Sequence, residues 1–96
     1  MFIVSLNYKK DMDEVEKYLG QHVAFLDKYY SLKKFIFSGR KNPRTGGIIL
    51  VRDANAQEVK TIIEEDPFYK NKIAEYEITE FIPTKFDEAF ACFVNN

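Results

Sequence analysis

The chain carries one histidine, His22, inside the stretch GQHVAFLDKY. At about 100° of rotation per residue, Val15, Leu19, His22, Leu26 and Tyr29 fall within an arc of roughly 80° on a helix. The imidazole is therefore set into an apolar stripe, where its two polar nitrogens need partners if they are buried. Two readings fit: a core histidine satisfied by a backbone carbonyl or water, or an acid–base group held by a carboxylate. Asp66 is the best-placed carboxylate, because DPFY turns the chain directly after the second helical segment and two helices on one face of a sheet bring that turn towards His22. The alternative for Asp66 is a turn-former, since Asp before Pro commonly plays that part. A His–Asp pair would hold the ring in one tautomer and stabilise the imidazolium, and an imidazole, with its free pKa of about 6.5, would then serve as general base or acid near neutral pH.

Ser38 and Gly39 close the segment FIFSGR. They read either as a strand end bending at glycine, or as a hydrogen-bonding side chain at a pocket beside a glycine that admits a ligand close to the backbone. Arg40, Lys41 and Arg44 cluster around the following loop. They form either a solvated basic loop or a receiver for a carboxylate or phenolate. One histidine and a distant cysteine make no zinc spacing, and no glycine-rich phosphate loop is present. Cys92 reads as a small core residue of the tail.

These side chains need elements to position them. Phe2, Val4, Leu6 and Tyr8 alternate with Ser5 and Asn7, as in a half-buried strand. From Asp11 to about Lys34 the spacing is helical, with acids early and Lys33 and Lys34 at the end as the helix dipole prefers. Gly20 is a place where that helix could break into a lead-in turn and a main segment. Phe35–Arg40 and Ile48–Asp53 read as strands joined by KNPRTGG, a loop by its Asn-Pro and Gly-Gly pairs. Asn55 caps a second helix through about Glu65, which Asp66-Pro67 stops. Glu75–Ile82 reads as a last strand, bulged near Phe81. Phe86, Ala89, Phe90 and Phe93 lie at helical spacing in the tail and give a short amphipathic helix, about 86–94, with an apolar face and nothing to cover it.

Strand, helix, strand, strand, helix, strand is the ferredoxin-like βαββαβ order of an α+β fold: an antiparallel sheet with both helices on one face. The expectation is one domain spanning 1–96, with a core over 1–86. The run Ile48–Val51 is apolar at consecutive positions, which calls for cover on both faces, and a second copy of the sheet supplies it most simply. A homodimer is expected.

The composition narrows the function. Hydrophobic residues at 46% and charged residues at 30% are those of an ordinary globular protein. Fourteen basic residues against 15 acidic ones leave a net charge of −1, with no positive field to gather nucleic acid or anionic lipid. Apolar runs such as Ile48–Val51 are far short of the roughly 20 residues a membrane span needs. No leader-like segment precedes the first strand, and the single cysteine cannot form an intramolecular disulfide, so the cytoplasm is the expected location.

His22 within GQHVAFLDKY, then FSG, GGIILVR and EEDPFYKNKIAEYEITEFIPTKF, in that order and spacing, resemble the YCII-related (YciI-like) family over nearly the whole chain to about Phe86. The resemblance implies a ferredoxin-like chain that dimerises into an α+β barrel, and a catalytic histidine and aspartate that map onto His22 and Asp66. Chemistry associated with the family is dehydrochlorinase-like, or proton transfer on small ring compounds. Two positions depart from its pattern: Arg40 replaces a usual proline, and Lys72 stands near a frequent glycine. Both add positive charge near the expected pocket and point to an anionic ligand.

The function expected from all this is a small enzyme in which Asp66 orients His22, and His22 moves a proton on a small, anionic cyclic substrate. Ser38, Gly39, Arg40 and Phe68 are the expected substrate-binding residues. Neither a cofactor nor a metal is required by such chemistry. The rival is a non-catalytic dimeric module that binds a small molecule or a protein, and haem ligation by His22 is a further alternative.

Overall fold

The alternation in FIVSLNY produces the first strand, β1 (Phe2–Tyr8), of a computed structural model that describes residues 1–94. It is followed by α1 (Met12–Ser31), β2 (Phe35–Arg40), β3 (Gly46–Val51), α2 (Ala56–Ile63), α3 (Pro67–Lys70) and β4 (Ala74–Glu80). The four strands form one antiparallel sheet in the order β2-β3-β1-β4. The fold is thus α+β and ferredoxin-like, as the element order predicts.

Register decides which side chains share a face. Val4 stands opposite Ile49 on one side and Ile78 on the other, and Leu6 stands opposite Tyr76. Phe2, Val4, Leu6, Ile49 and Val51 are buried on this face beneath Val15, Phe25 and Tyr29 of α1 and Val59, Ile62 and Ile63 of α2. Each such side chain contributes about 1.5–3 kcal/mol when fully buried, so this shared face, rather than helix propensity, holds the helices down. Val15 and Tyr29 of the predicted stripe are buried and Leu19 and Leu26 lie at the core's edge, whereas Phe25, which the stripe omits, is buried too.

Several boundaries differ from those read in the sequence. Helix α1 runs unbroken through the exposed Gly20, begins behind the N-cap Asp11 and ends at Ser31. Its end is a Schellman turn: Lys33 N–H donates to the Tyr30 carbonyl, Lys34 N–H to that of Tyr29, and Lys33 takes the left-handed conformation (φ 61°). Helix α2 is shorter than expected but starts behind Asn55, in a reciprocal capping box with Glu58. Strand β3 begins two residues earlier, at Gly46, and ends before Arg52. Gly46 is not only a loop residue, because a Cβ on it would lie 1.8 Å from the Leu6 carbonyl oxygen. The expected bulge near Phe81 is absent: β4 stops at Glu80 in continuous register with β1, and the irregularity lies in β2 between Phe35 and Phe37.

The tail is a 3-10 turn, Glu88–Phe90, followed by α4 (Ala91–Val94). Its apolar side is partly covered, contrary to expectation: the Phe90 ring meets Phe37 edge-on at 5.8 Å, and the Arg52 guanidinium lies 5.7 Å from the Phe93 ring. Phe37 pairs with Leu50, so the tail shields part of the sheet face away from the helices. Phe37, Ile82 and Phe86 remain substantially exposed. Among the described residues, no helix is long and apolar enough to cross a membrane.

Candidate active site

Three elements converge on one carboxylate. Asp66 sits between α2 and α3, where extended backbone ahead of Pro67 makes it the N-cap of α3, with its Oδ1 accepting from the Phe68 N–H at 3.0 Å. Its side chain is wholly buried. The middle of α1 brings His22 to it, with 2.8 Å between Nδ1 and the same Oδ1. A carboxylate oxygen accepts and does not donate, so Nδ1 carries the proton and Nε2 keeps its lone pair. From β4, the Tyr76 hydroxyl donates to Oδ2 at 2.5 Å. A buried charge needs such partners, and here every donor comes from a different piece of chain.

The His22 ring is fixed as well as paired. Phe68 is buried behind it, with ring centroids 4.1 Å apart and planes 6° from parallel. Burial, and then the negative charge of Asp66, push the Tyr76 phenol above its usual range, so it stays a donor. Next to Asp66, Glu65 accepts from Lys28 at 2.6 Å and from the Tyr29 hydroxyl, which clamps the α2–α3 junction to α1. These two bonds, Lys28 first, hold the Glu65 carboxyl below its usual range.

The exposed part of His22 lines a cavity of about 430 Å³ between α1 and the β2–β3–β1 part of the sheet. Leu6, Leu19, Val23, Leu26 and Ile49 give it apolar walls. Ser38, Gly39, Arg40 and Arg44 line it at the β2–β3 side, together with Gly46 and Gly47. The Ser38 hydroxyl is 2.7 Å from that of Tyr30, and a Cβ on Gly39 would meet no protein atom within 4 Å. Arg44 reaches towards Glu16 of α1 at 4.0 Å. The arrangement offers a base on a buried carboxylate, an apolar slot and two guanidinium groups.

Among the residues singled out in the sequence, His22, Ser38, Gly39 and Arg40 border this cavity, and Asp66 stands behind His22. Phe68 does not line it, because stacking beneath the imidazole takes the whole ring. Lys41 is bound to Asn7 at 2.8 Å. Lys72 lies elsewhere, in an open groove with Lys9, Lys70, Tyr69 and Tyr76, so its charge is not added to the His22 cavity. Lys72 itself has φ 56° and closes the Schellman turn of α3, where Ile73 N–H donates to the Phe68 carbonyl, a place whose geometry suits glycine. Tyr76 and Tyr30 escaped the sequence reading. Their signal was a hydroxyl on an apolar face, which needs a partner just as His22 does. Cys92 is exposed and not a core residue. Among the described residues, no group of three or more His, Cys, Asp or Glu side chains is arranged to hold a metal ion.

Comparison with solved structures finds the same fold in 5-chloro-2-hydroxyhydroquinone dehydrochlorinase (TftG) from Burkholderia phenoliruptrix AC1100, determined in complex with 2,5-dihydroxybenzoquinone. The TM-score is 0.71 at 16% identity, over 93% of this chain and 98% of that one. No curated protein sequence matches the chain. The family model of the YCII-related domain matches residues 1–82, from the first strand past the end of β4, and the chain accordingly belongs to the YCII-related domain family.

Proposed function

We propose that the chain is a small acid–base enzyme in which His22 moves a proton on a planar, anionic cyclic substrate. The observation that carries this reading is the division of labour on one ring: Nδ1 is committed to a wholly buried carboxylate, while the ring borders an apolar cavity faced by Arg40 and Arg44. Asp66 keeps Nδ1 protonated and stabilises the imidazolium that forms when Nε2 accepts a proton. Arg40 receives the anionic substituent, Ser38 donates to a ring oxygen, Gly39 lets the ring approach the sheet, and Phe68 backs the imidazole. Proton transfer of this kind needs no cofactor. On a chlorinated hydroxylated ring the ring first ketonises, one hydroxyl giving up its proton while the chlorine-bearing carbon gains one; Nε2 then takes the proton of a second hydroxyl, the O–H pair becomes a C=O bond, the π electrons shift along the ring, and chloride leaves with the C–Cl pair. The fold shared with a dehydrochlorinase supports this choice of substrate class.

The protein acts as a homodimer in this reading. The sheet face away from the helices carries Ile3, Ile48 and Leu50, and the described part of the tail meets it at Phe37 and Arg52. Sedimentation that finds only monomer at micromolar concentration would remove the dimer. A cytoplasmic setting suits the exposed thiol of Cys92, which a reducing compartment keeps free.

A non-catalytic binding module of the same fold is the second reading. In its favour, Asp66 also caps α3 and holds Tyr76, which are structural duties. One experiment separates the two. The His22 ring signals are followed by NMR as 2,5-dihydroxybenzoquinone and related hydroxylated ring anions are added, and the same compounds are then incubated with enzyme in deuterated water. Ring shifts with catalysed deuterium uptake or chloride release support the enzyme, whereas ring shifts alone support the module. No response at His22 to any compound refutes both as readings of this cavity.

A further inference from the structure

Tyr76 is the contact of Asp66 that the proton transfer proposed above leaves unused. Asp66 Oδ1 is shared by two donors, the His22 ring at 2.8 Å and the Phe68 N–H at 3.0 Å, whereas its Oδ2 has the Tyr76 hydroxyl, at 2.5 Å. The Phe68 bond comes from the next turn of the same chain segment and fixes where Oδ1 lies. Tyr76 comes from β4, opposite Leu6, and fixes Oδ2, so the carboxylate is held at both ends and cannot rotate away from the ring.

The same contact has an electronic effect. A carboxylate has one negative charge to share among its donors, and each bond it accepts on one oxygen weakens the pull of the other. We propose that Tyr76 is the positioning residue of the His22–Asp66 pair: its hydroxyl locks Oδ2 and sets how strongly Oδ1 draws on the His22 Nδ1 proton. This rests on the acid–base reading of His22. It adds a third member to the pair and a means of tuning it from β4, at the edge of the sheet.

The surroundings leave Tyr76 suited to this part. Tyr8 of β1 adds to the effect of burial and Asp66 in keeping the phenol protonated. On its outer side Tyr69 of α3 meets the Tyr76 ring edge-on at 5.8 Å. The groove beyond holds Lys9, Lys10, Lys70 and Lys72 with Glu64 and Glu75, and Lys9 is paired with Glu75 at 3.4 Å. On the inner side, the charged groups across the cavity from His22 are Arg40 and Arg44. Among the hydrogen bonds of the described residues, the Tyr76 hydroxyl goes to Asp66, so a change at that oxygen reaches the imidazole through Asp66.

With a single histidine in the chain, the Nδ1–H proton and both ring nitrogens can be read by NMR on ¹⁵N-histidine-labelled full-length protein without ambiguity. Tyr76→Phe should move the Nδ1–H resonance downfield, because Asp66 then gives more of its charge to the ring. 3-Fluorotyrosine installed at position 76 is a stronger donor and should move the same resonance upfield. A role confined to filling space predicts lower thermal stability for Tyr76→Phe with the resonance unmoved, and would not give opposite signs for the two changes. If neither change moves it, or both move it the same way, the proposal is overturned. If Tyr76→Phe fails to fold, the fluorinated protein decides alone. Asp66→Asn distinguishes the failures: an upfield shift of the Nδ1–H resonance in that variant, as a charged acceptor becomes a neutral one, with no response to either Tyr76 change removes Tyr76 only, whereas a resonance that Asp66→Asn leaves unmoved removes the His22–Asp66 pairing and the proposed function with it.

Discussion

Replacing Asp66 by Asn removes a charge and almost nothing else, which makes it the sharpest test of whether the pair does chemistry. The side chain is wholly buried, and His22 and the Phe68 N–H share Oδ1 while Tyr76 donates to Oδ2. An Asn with its carbonyl at the Oδ1 position keeps the first two bonds, and the Tyr76 hydroxyl can turn to accept from the new NH₂. Three charge-assisted bonds become neutral ones, at about 1 kcal/mol each, and most of this loss is offset by no longer burying a charge. The expected net loss is about 1 kcal/mol, or a melting temperature lower by roughly 4–8 °C for a domain of this size. The imidazolium fares differently. Unit charges about 4 Å apart attract by about 4 kcal/mol at an effective dielectric of about 20, and that attraction is lost outright. Any step through protonated His22 should then slow by about 10³-fold. Deuterium incorporation into a ring anion that the wild type processes, measured beside a thermal melt, reads both quantities. A variant that keeps its activity within tenfold, or one that loses about 3 kcal/mol or more of stability, would show that the carboxylate is there for the fold.

Four further outcomes follow from the geometry. Lys72→Gly should raise stability by about 0.5 kcal/mol, since relief of the left-handed strain at φ 56° exceeds the added entropy of the unfolded chain, and a lower melting temperature would contradict it. Gly46→Ala should cost about 2–4 kcal/mol, because its Cβ would overlap the Leu6 carbonyl at 1.8 Å and force β3 away from β1; a melt within 2 °C of wild type would show that the strands yield cheaply. Tyr76 ionises at higher pH in the folded chain than in the unfolded one, whose reference value is 10.0, so its contribution is complete below that value and is lost as pH rises beyond it. Urea midpoints should fall above about pH 10 more steeply in wild type than in Tyr76→Phe. Glu65 has the opposite sign: its folded pKa lies below the reference 4.5, so its stabilisation is present above that value and fades as pH falls through the folded one. Glu65→Gln should therefore flatten the acid limb of the stability curve, by under about 1 kcal/mol because the partly exposed pair is screened.

What could be read in the sequence was whatever depends on local periodicity. The 3.6-residue spacing located His22 on the buried side of α1, and Asp66 was found because a proline forces the chain to turn straight after α2. What escaped depends on pieces brought together from a distance. Helix α3 has four residues, too few to show a period, yet it sets Phe68 under the imidazole and carries Lys72 to the groove with Lys9 and Lys70. A glycine pair looks the same in a turn as in a close approach of strands, so the start of β3 at Gly46 became visible only when Leu6 was placed against it.

Tyr76 is the instructive omission, because its partner was already in hand. Alternation along β4 puts Tyr76 and Ile78 on the helix side of the sheet, and a phenol there needs an acceptor for the same reason that an imidazole in an apolar stripe needs a partner. Two polar groups on two apolar faces, with one buried carboxylate available to both, leave little choice in how they meet. The rule that found His22 extends to Tyr76 once the register of β4 against β1 is known, and no local pattern supplies that register.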